Sequence, residues 1–455
     1  MSAYKTISFG ITCQFFVRAN YTPADANDAH SIMTAAHSAI SKQAFFELLT
    51  PQTQVFLSEQ AQSMRLSVQD CRQSCEIALD FQMWGGPSIQ DLWPNDKDLT
   101  ASGKARKQQA MLQLRASWEM LKASHNEYPA VSANSTLSAA AEPRAIVKER
   151  LGLGRCPVAS PRTLCCNLQT LDAVDNCGYG CSYCSIQSFF DGKQISFDKG
   201  FADKLKKLEL DPEKIYHIGT GQSSDSLMWG NSHGVLDGVI EFARANPNVI
   251  LELKTKSANV SHLLRADAPK NMLCTWSLNT PTLIKHEEHG TATLEKRLSA
   301  ARKMADAGYV VGFHFHPIIH YQHWQADYRS VIQQLCAMFE PEEVALVSMG
   351  TLTYIKSVMR DIRKRAIPSQ ILKMPMADAE GKLSYPDETK LSLFTHLYQC
   401  FPDAWKEQVF YYLCMENQRF WKPVFGFDYA SNSEFEAAMK DAYRAKIASK
   451  SNPNQ

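Results

Sequence analysis

The hydrophobic positions of this chain change their period part-way along. Up to about residue 125 they recur every three to four residues. In Ser67–Trp84, Val68, Cys71, Cys75, Ala78 and Leu79 fall on one face, with Ser67 placed as an N-cap. Lys104–Lys122 repeats the pattern with Ala110, Met111, Leu114, Trp118 and Leu121. The stretch 1–125 is therefore predicted to be a helical N-terminal region. Cys71 and Cys75 read as small apolar residues facing a core rather than as a metal pair. A composition shift follows. YPAVSANSTLSAAAEPR (Tyr128–Arg144) is rich in Ser, Ala and Pro and poor in large apolar groups, which predicts a linker over 126–160 or a connection that orders on packing.

From about Thr163 short β-branched runs alternate with helical stretches. The predicted strands are Cys165–Val174, Ile215–Thr220, Val249–Thr255, Met272–Leu278, Val310–His316 and Glu343–Ser348. Helices are predicted at Gly234–Ala245, Thr293–Ala307 and Trp324–Phe339, the second carrying Leu294, Leu298, Ala301 and Ala305 on one face before Gly308. Six βα units over 161–350 make the chain α/β with a parallel sheet, either doubly wound or closed into a partial barrel. In both, the working residues belong at strand C-terminal ends and in the loops after them. Residues 351–430 form a small C-terminal α+β region completing the core, with an apolar strand at Gln408–Glu416 and aromatics around Trp421. The polar tail 446–455 is expected to be disordered.

Composition narrows the class. The 455 residues are 45% hydrophobic and 21% charged, ordinary for a globular protein. The start, MSAYKTISFGITCQFF, lacks a signal-peptide pattern, and no run approaches ~18 apolar residues, so the expected location is cytoplasmic with no membrane partner. There the 13 cysteines stay reduced, and their odd number also argues against a disulfide framework. A net charge of +1 neither demands nor excludes nucleic acid. One local patch suits phosphate: Lys356, Arg360, Arg363, Lys364, Arg365 and Lys373 stand against the single acid Asp361 within 356–373, although a solvated helix face has the same look.

The loop after the first predicted strand reads NCGYGCSYCS and places Cys177, Cys181 and Cys184 at intervals of four and three. Structural zinc wants four ligands, and none nearby makes a convincing fourth. Cys165 and Cys166 sit in a predicted strand, where successive side chains point to opposite faces. A cubane iron–sulfur cluster normally takes four thiolates. Three leave one iron open to a substrate or cofactor. Zinc stays open as the alternative.

CxxxCxxC in this position resembles the signature of the radical S-adenosylmethionine (SAM) enzymes. That resemblance implies a partial (β/α)6 barrel of the TIM type and a [4Fe-4S] cluster on the three cysteines. It also implies SAM cleaved to a 5′-deoxyadenosyl radical, with Tyr183 near the adenine. Further stretches resemble the spore photoproduct lyase family of DNA-repair lyases: GTGQSSDS (Gly219–Ser226), ELKTKSANVSHLL (Glu252–Leu264), Trp276–Phe313 and YLCMENQRFW (Tyr412–Trp421). By position the resemblance implies SAM contacts from Ser224, Asp225, Lys256, Ser277 and Asn279. It implies a carbon–carbon lyase acting on a pyrimidine lesion in DNA, fed by a reducing partner such as a flavodoxin or ferredoxin.

Two positions depart from the family. Gln222 stands where those enzymes carry a hydrogen-donating cysteine, and Ser185 where they carry a tyrosine. An amide N–H is too strong to replace a thiol S–H. Cys414 and Tyr179 are the substitute candidates. His314 and His316, two apart on one strand, with His320 and His323 after them, are candidates for substrate contact, acid–base work or a metal, against plain polar lining. The departures keep two other readings in view: a radical SAM reaction on RNA, a peptide or another substrate, and a non-catalytic metal- or cluster-stabilised nucleic-acid-binding protein.

Overall fold

The structure, a computed structural model, describes residues 39–129, 143–156, 162–189 and 194–451. The chain divides into two compact units. The first takes in residues up to Ala78 together with Ser88–Leu114; the second takes in Leu79–Pro87 and everything from Arg115 on.

Helices α1 (Pro51–Ser63), α2 (Val68–Trp84) and α3 (Gly103–Ala123) account for most of the described residues before the linker. Thr50 caps α1, with Pro51 at its first position. Ser67 and Asp70 cap the start of α2 reciprocally: the Asp70 amide donates to Ser67 Oγ at 3.2 Å and the Ser67 amide to Asp70 Oδ2 at 2.9 Å. Cys71 and Cys75 are buried free thiols, as expected of core residues, whereas Val68 is 65% exposed because it sits on the capped first turn.

The second unit is built on an eight-stranded sheet that curls into a partial barrel. Its strands are β1 (Leu153–Arg155), β2 (Gln169–Leu171), β3 (Tyr216–Thr220), β4 (Val249–Thr255), β5 (Met272–Ser277), β6 (Val311–Ile318), β7 (Val344–Thr351) and β8 (Phe410–Leu413). They lie side by side in chain order. β2 to β8 are parallel, and β1 joins β2 antiparallel at the edge. In VILELKT every residue but Lys254 is buried, as suits a strand covered on both faces. Helices α4 (Val235–Ala245), α5 (Leu294–Asp306) and α6 (Trp324–Met338) make the connections before β4, β6 and β7. On α5 the predicted face is buried, and Arg297 is buried with it.

Three expectations change. β2 is much shorter than Cys165–Val174. Cys165 and Cys166 precede it in a loop anchored by the Cys165 amide on Asn432 Oδ1 at 2.9 Å. Their side chains hydrogen-bond to each other, so the strand alternation assumed for them does not apply. The linker 126–160 is not featureless where it is described: Arg144–Ile146 and β1 are strands, while 130–142 lie outside the described residues. The tail is helical at its start. Helix α9 (Asn432–Ser451) follows α7 (Lys356–Lys364) and α8 (Asp387–Cys400) and runs through the first residues expected to be disordered; 452–455 lie outside the described residues. It lays buried Phe435, Met439 and Tyr443 on the side of β4, β7 and β8.

Candidate active site

The loops at the strand C-terminal ends surround a cavity of about 300 Å3. Cys177, Cys181 and Cys184 reach it from the loop after β2, and Gln222, Ser224 and Asp225 from the loop after β3. Lys254 and Lys256 come from β4 and its end, Ser277 from the end of β5, His316 from β6 and Cys414 from the residue after β8. Tyr179, Tyr183 and Ser185 also line it.

Small residues and a buried support set the cysteine loop. Gly180 and Cys181 pair antiparallel with Glu288–His289. The Ser182 amide donates to the Glu287 carbonyl at 2.9 Å. Arg365 caps the turn, donating from Nη1 to the Cys181 carbonyl at 2.9 Å and from Nη2 to the Gly180 carbonyl at 3.0 Å. At Gly178 a Cβ would lie 2.4 Å from Met228 Cε and 3.0 Å from the Trp229 ring, so a larger residue there would have to displace the methionine tip and crowd the indole. Gly221, at φ +84°, brings the next loop equally close: a Cβ there would lie 2.6 Å from the Lys254 carbonyl.

Burial pushes the Cys177 thiol up to about 11 and raises Cys181 as well. Such thiols ligate only when a metal displaces their protons. Among the described residues no three His, Cys, Asp or Glu side chains converge on a single ion. Three thiols that share a cavity wall without sharing one ion-sized point fit a multi-iron cluster, where each thiolate takes its own iron. They fit zinc poorly, because its ligands close to ~2.3 Å from one centre.

Beside the cysteines lies a polar set suited to a zwitterion. The Lys256 ammonium has no hydrogen-bond partner among the described residues and sits 5.8 Å from the Tyr183 ring centre. Burial opposes its charge, but the Cys181 sulfur and the Glu288 carboxylate outweigh burial and raise its pKa. Asp225 is a half-buried carboxylate that mostly holds its own loop. Oδ1 accepts from the Leu227 and Met228 amides (3.0 and 2.9 Å) and from Thr255 Oγ1 (2.7 Å), and Oδ2 from the Lys256 amide (2.6 Å). One lone pair on Oδ2 remains for a ligand. Ser224 Oγ accepts from Trp229 Nε1 at 3.2 Å, which leaves its own hydrogen to donate.

Two expected site residues do not line the cavity. Asn279 lies past the end of β5, fully buried. It donates to Glu288 Oε1 and the Pro317 carbonyl, both at 3.3 Å, and accepts from Tyr328 Oη at 2.8 Å. Strand alternation with Ser277 stops where the strand stops. His314 is buried beneath the floor, held by Glu252 and Ser348. His320 stacks on His125, and His323 starts α6 in a left-handed conformation, so the four histidines do not form a metal cluster. The basic patch is also partly internal. Arg363 pairs with buried Asp80 at 2.7 and 2.9 Å and Arg365 is committed to the cysteine loop, leaving Lys356, Arg360 and Lys364 exposed.

The sequence reading missed the supports. Tyr183 Oη donates to Glu288, whose other oxygen accepts from Arg297 Nη2 at 2.5 Å. Glu287 accepts from Tyr128 Oη (2.9 Å), the Gln370 amide (3.0 Å) and the hydroxyls of Ser182 and Ser369. Lys254 and Cys156 on the wall were missed too. Glu287 and Glu288 stand in a charged stretch, HEEHG, that looks solvated, and only their partners elsewhere in the chain reveal them as internal.

A curled parallel sheet with three thiols on the loop after its first parallel strand defines the radical SAM class of barrel. Comparison with known proteins sharpens this. The family profile of spore photoproduct lyase matches residues 174–407, just over half of the 455-residue chain, and the chain belongs to that family. It is 29% identical over 212 residues to the spore photoproduct lyase of a Geobacillus species, covering 45% of this chain and 61% of that protein. It is 27% identical over 222 residues to that of Clostridium acetobutylicum, covering 47% and 64%. The match thus spans less than two thirds of either relative. Over 171 residues it is 38% identical to the Bacillus subtilis enzyme, covering 36% and 49%. A solved spore photoproduct lyase complexed with dinucleoside spore photoproduct shares the fold, with a TM-score of 0.51 at 23% identity over 64% of this chain and 88% of that one. No helix among the described residues is long and apolar enough to cross a membrane.

Proposed function

We propose that this chain is a radical SAM carbon–carbon lyase that reverses a thymine-derived lesion of the spore photoproduct type in DNA. One observation carries the reading: three thiols, a cation without a hydrogen-bond partner among the described residues and hydroxyl donors share one cavity wall at the strand C-terminal ends. Cys177, Cys181 and Cys184 would hold a [4Fe-4S] cluster, with SAM beside it. Together these supply, when bound, a 5′-deoxyadenosyl radical able to take hydrogen from a substrate carbon. The chain's own groups bind and orient. Lys256 offers its ammonium to the SAM carboxylate, Ser277 and Ser224 offer hydroxyls, and Asp225 offers its remaining lone pair to the SAM ammonium. Tyr183, fixed by Glu288, forms the adenine side.

Gln222 cannot return a hydrogen atom. Cys414 can: burial pushes its thiol up to about 12, so at neutral pH the hydrogen stays on sulfur, in the cavity wall. We assign it the donor role. An external one-electron reductant such as a flavodoxin or ferredoxin completes the system.

The test is one anaerobic incubation of reconstituted, reduced protein with SAM and dinucleoside spore photoproduct. The proposal expects 5′-deoxyadenosine and thymidylyl-thymidine together. 5′-Deoxyadenosine without repair would favour a radical reaction on another substrate, the reading that Gln222 and Ser185 also suit. Neither product from cluster-loaded protein would favour the non-catalytic reading.

A further inference from the structure

Beneath the cavity a line of hydrogen bonds crosses five strands. Glu252 on β4 is fully buried. Its Oε2 lies 2.8 Å from His217 Nε2, and its Oε1 lies 2.8 Å from both His314 Nε2 and Thr275 Oγ1. His314 Nδ1 contacts Ser348 Oγ, and Ser348 Oγ lies 3.1 Å from His316 Nε2. His316 reaches the cavity itself.

Counting donors and acceptors fixes every proton in this line. Burial opposes the charge on Glu252, but Lys254 and the two histidines outweigh it and hold the pKa well below the usual carboxylate range, so Glu252 only accepts. His314 Nε2 must then carry a hydrogen. Burial keeps His314 neutral, so its Nδ1 is bare and Ser348 must donate to it. That uses the only hydroxyl hydrogen of Ser348. The contact with His316 is therefore made by the His316 Nε2–H. Burial, His314 and the two nearby lysines hold the His316 pKa well below its usual value, so its Nδ1 is bare as well. Nδ1 has no hydrogen-bond partner among the described residues, and the His316 ring lines the cavity.

On a wall that carries ammonium and hydroxyl donors and the Asp225 carboxylate, a neutral acceptor of fixed position selects for an N–H. In a pyrimidine the group that discriminates is N3. Thymine and uracil carry an imide N3–H there, whereas cytosine presents a lone pair. We propose that His316 is a specificity residue that accepts the imide N3–H of a thymine-type base, with Ser348, His314 and Glu252 as positioning residues that hold it in the accepting tautomer. This rests on the lesion reading above.

The test is affinity rather than turnover, on full-length protein loaded with cluster and SAM. Wild type should bind dinucleoside spore photoproduct about tenfold more tightly than its N3-methylated analogue, the loss expected for one hydrogen bond. In His316→Phe the preference should vanish, and in His316→Gln, whose amide oxygen also accepts, part of it should remain. 15N NMR of histidine-labelled protein should show an unprotonated His316 Nδ1, and Ser348→Ala should shift that signal. Equal binding of both ligands by wild type, a preference that survives in His316→Phe, or a protonated Nδ1 would each overturn the inference. Binding of neither ligand would overturn it together with the lesion reading, so the two failures are distinguishable.

Discussion

Arg297→Ala tests how the cysteine loop is held. The Arg297 side chain is fully buried, and its guanidinium makes four hydrogen bonds. Nε donates to the Ala292 carbonyl (2.9 Å) and Nη1 to the Ser277 carbonyl (2.8 Å), while Nη2 donates to Glu288 Oε2 (2.5 Å) and Thr291 Oγ1 (2.7 Å). Truncation leaves the Glu288 carboxylate buried with only the neutral donors Tyr183 and Asn279. Removing one partner of a buried ion pair costs about 3–5 kcal/mol. With m of about 3 kcal/mol/M for a unit of this size, the urea midpoint should fall by about 1–1.7 M. Glu288 pairs with the strand that carries Cys181, so cluster content after reconstitution should fall as well. The double variant Glu288→Leu/Arg297→Met removes both charges and should recover much of the stability. It should not restore Tyr183, which loses its acceptor, and SAM affinity should stay low. An unchanged urea midpoint in Arg297→Ala, or a double variant no better than the single, would refute the reasoning.

Cys181→Ser should abolish the brown absorbance of the reconstituted protein, while Cys71→Ser should keep it; visible spectra and iron analysis decide. Lys256→Met should weaken SAM binding at least tenfold in equilibrium dialysis of cluster-loaded protein, since the variant loses the one ammonium assigned to the carboxylate. Cys414→Ala should separate the two products by chromatography, with 5′-deoxyadenosine still formed and thymidylyl-thymidine falling at least tenfold. Equal loss of both would remove Cys414 from the donor role.

Elements whose burial is symmetrical were legible in the sequence. Val249–Thr255 was predicted with both its ends, and Met272–Leu278 is one residue too long; each opens on a short apolar run, VIL and MLC, that marks a strand covered on both faces. Cys165–Val174 failed because the run before Gln169 packs apolar side chains without pairing as a strand. The site divides the same way. Residues assigned to the chemistry lie in short motifs, and most of them line the cavity. Those holding them, Glu287, Glu288, Arg297 and Arg365, are ion-pair and carbonyl partners far apart in sequence, and no local periodicity distinguishes a buried arginine on α5 from an exposed one. Asn279 was misplaced because alternation was carried one step past the end of a strand.

The spacing of β4 has a consequence for anything that enters the barrel. Glu252, Lys254 and Lys256 succeed one another on the inner face, about 6.6 Å apart per pair of residues. The charged side chains therefore change sign with depth, from Lys256 and Lys254 on the cavity wall to Glu252 beneath it, 3.9 Å from the Lys254 ammonium. An anionic group is drawn inward by the rim and turned back by the floor. The strand acts as a depth gauge, set by nothing more than the two-residue repeat of an extended chain.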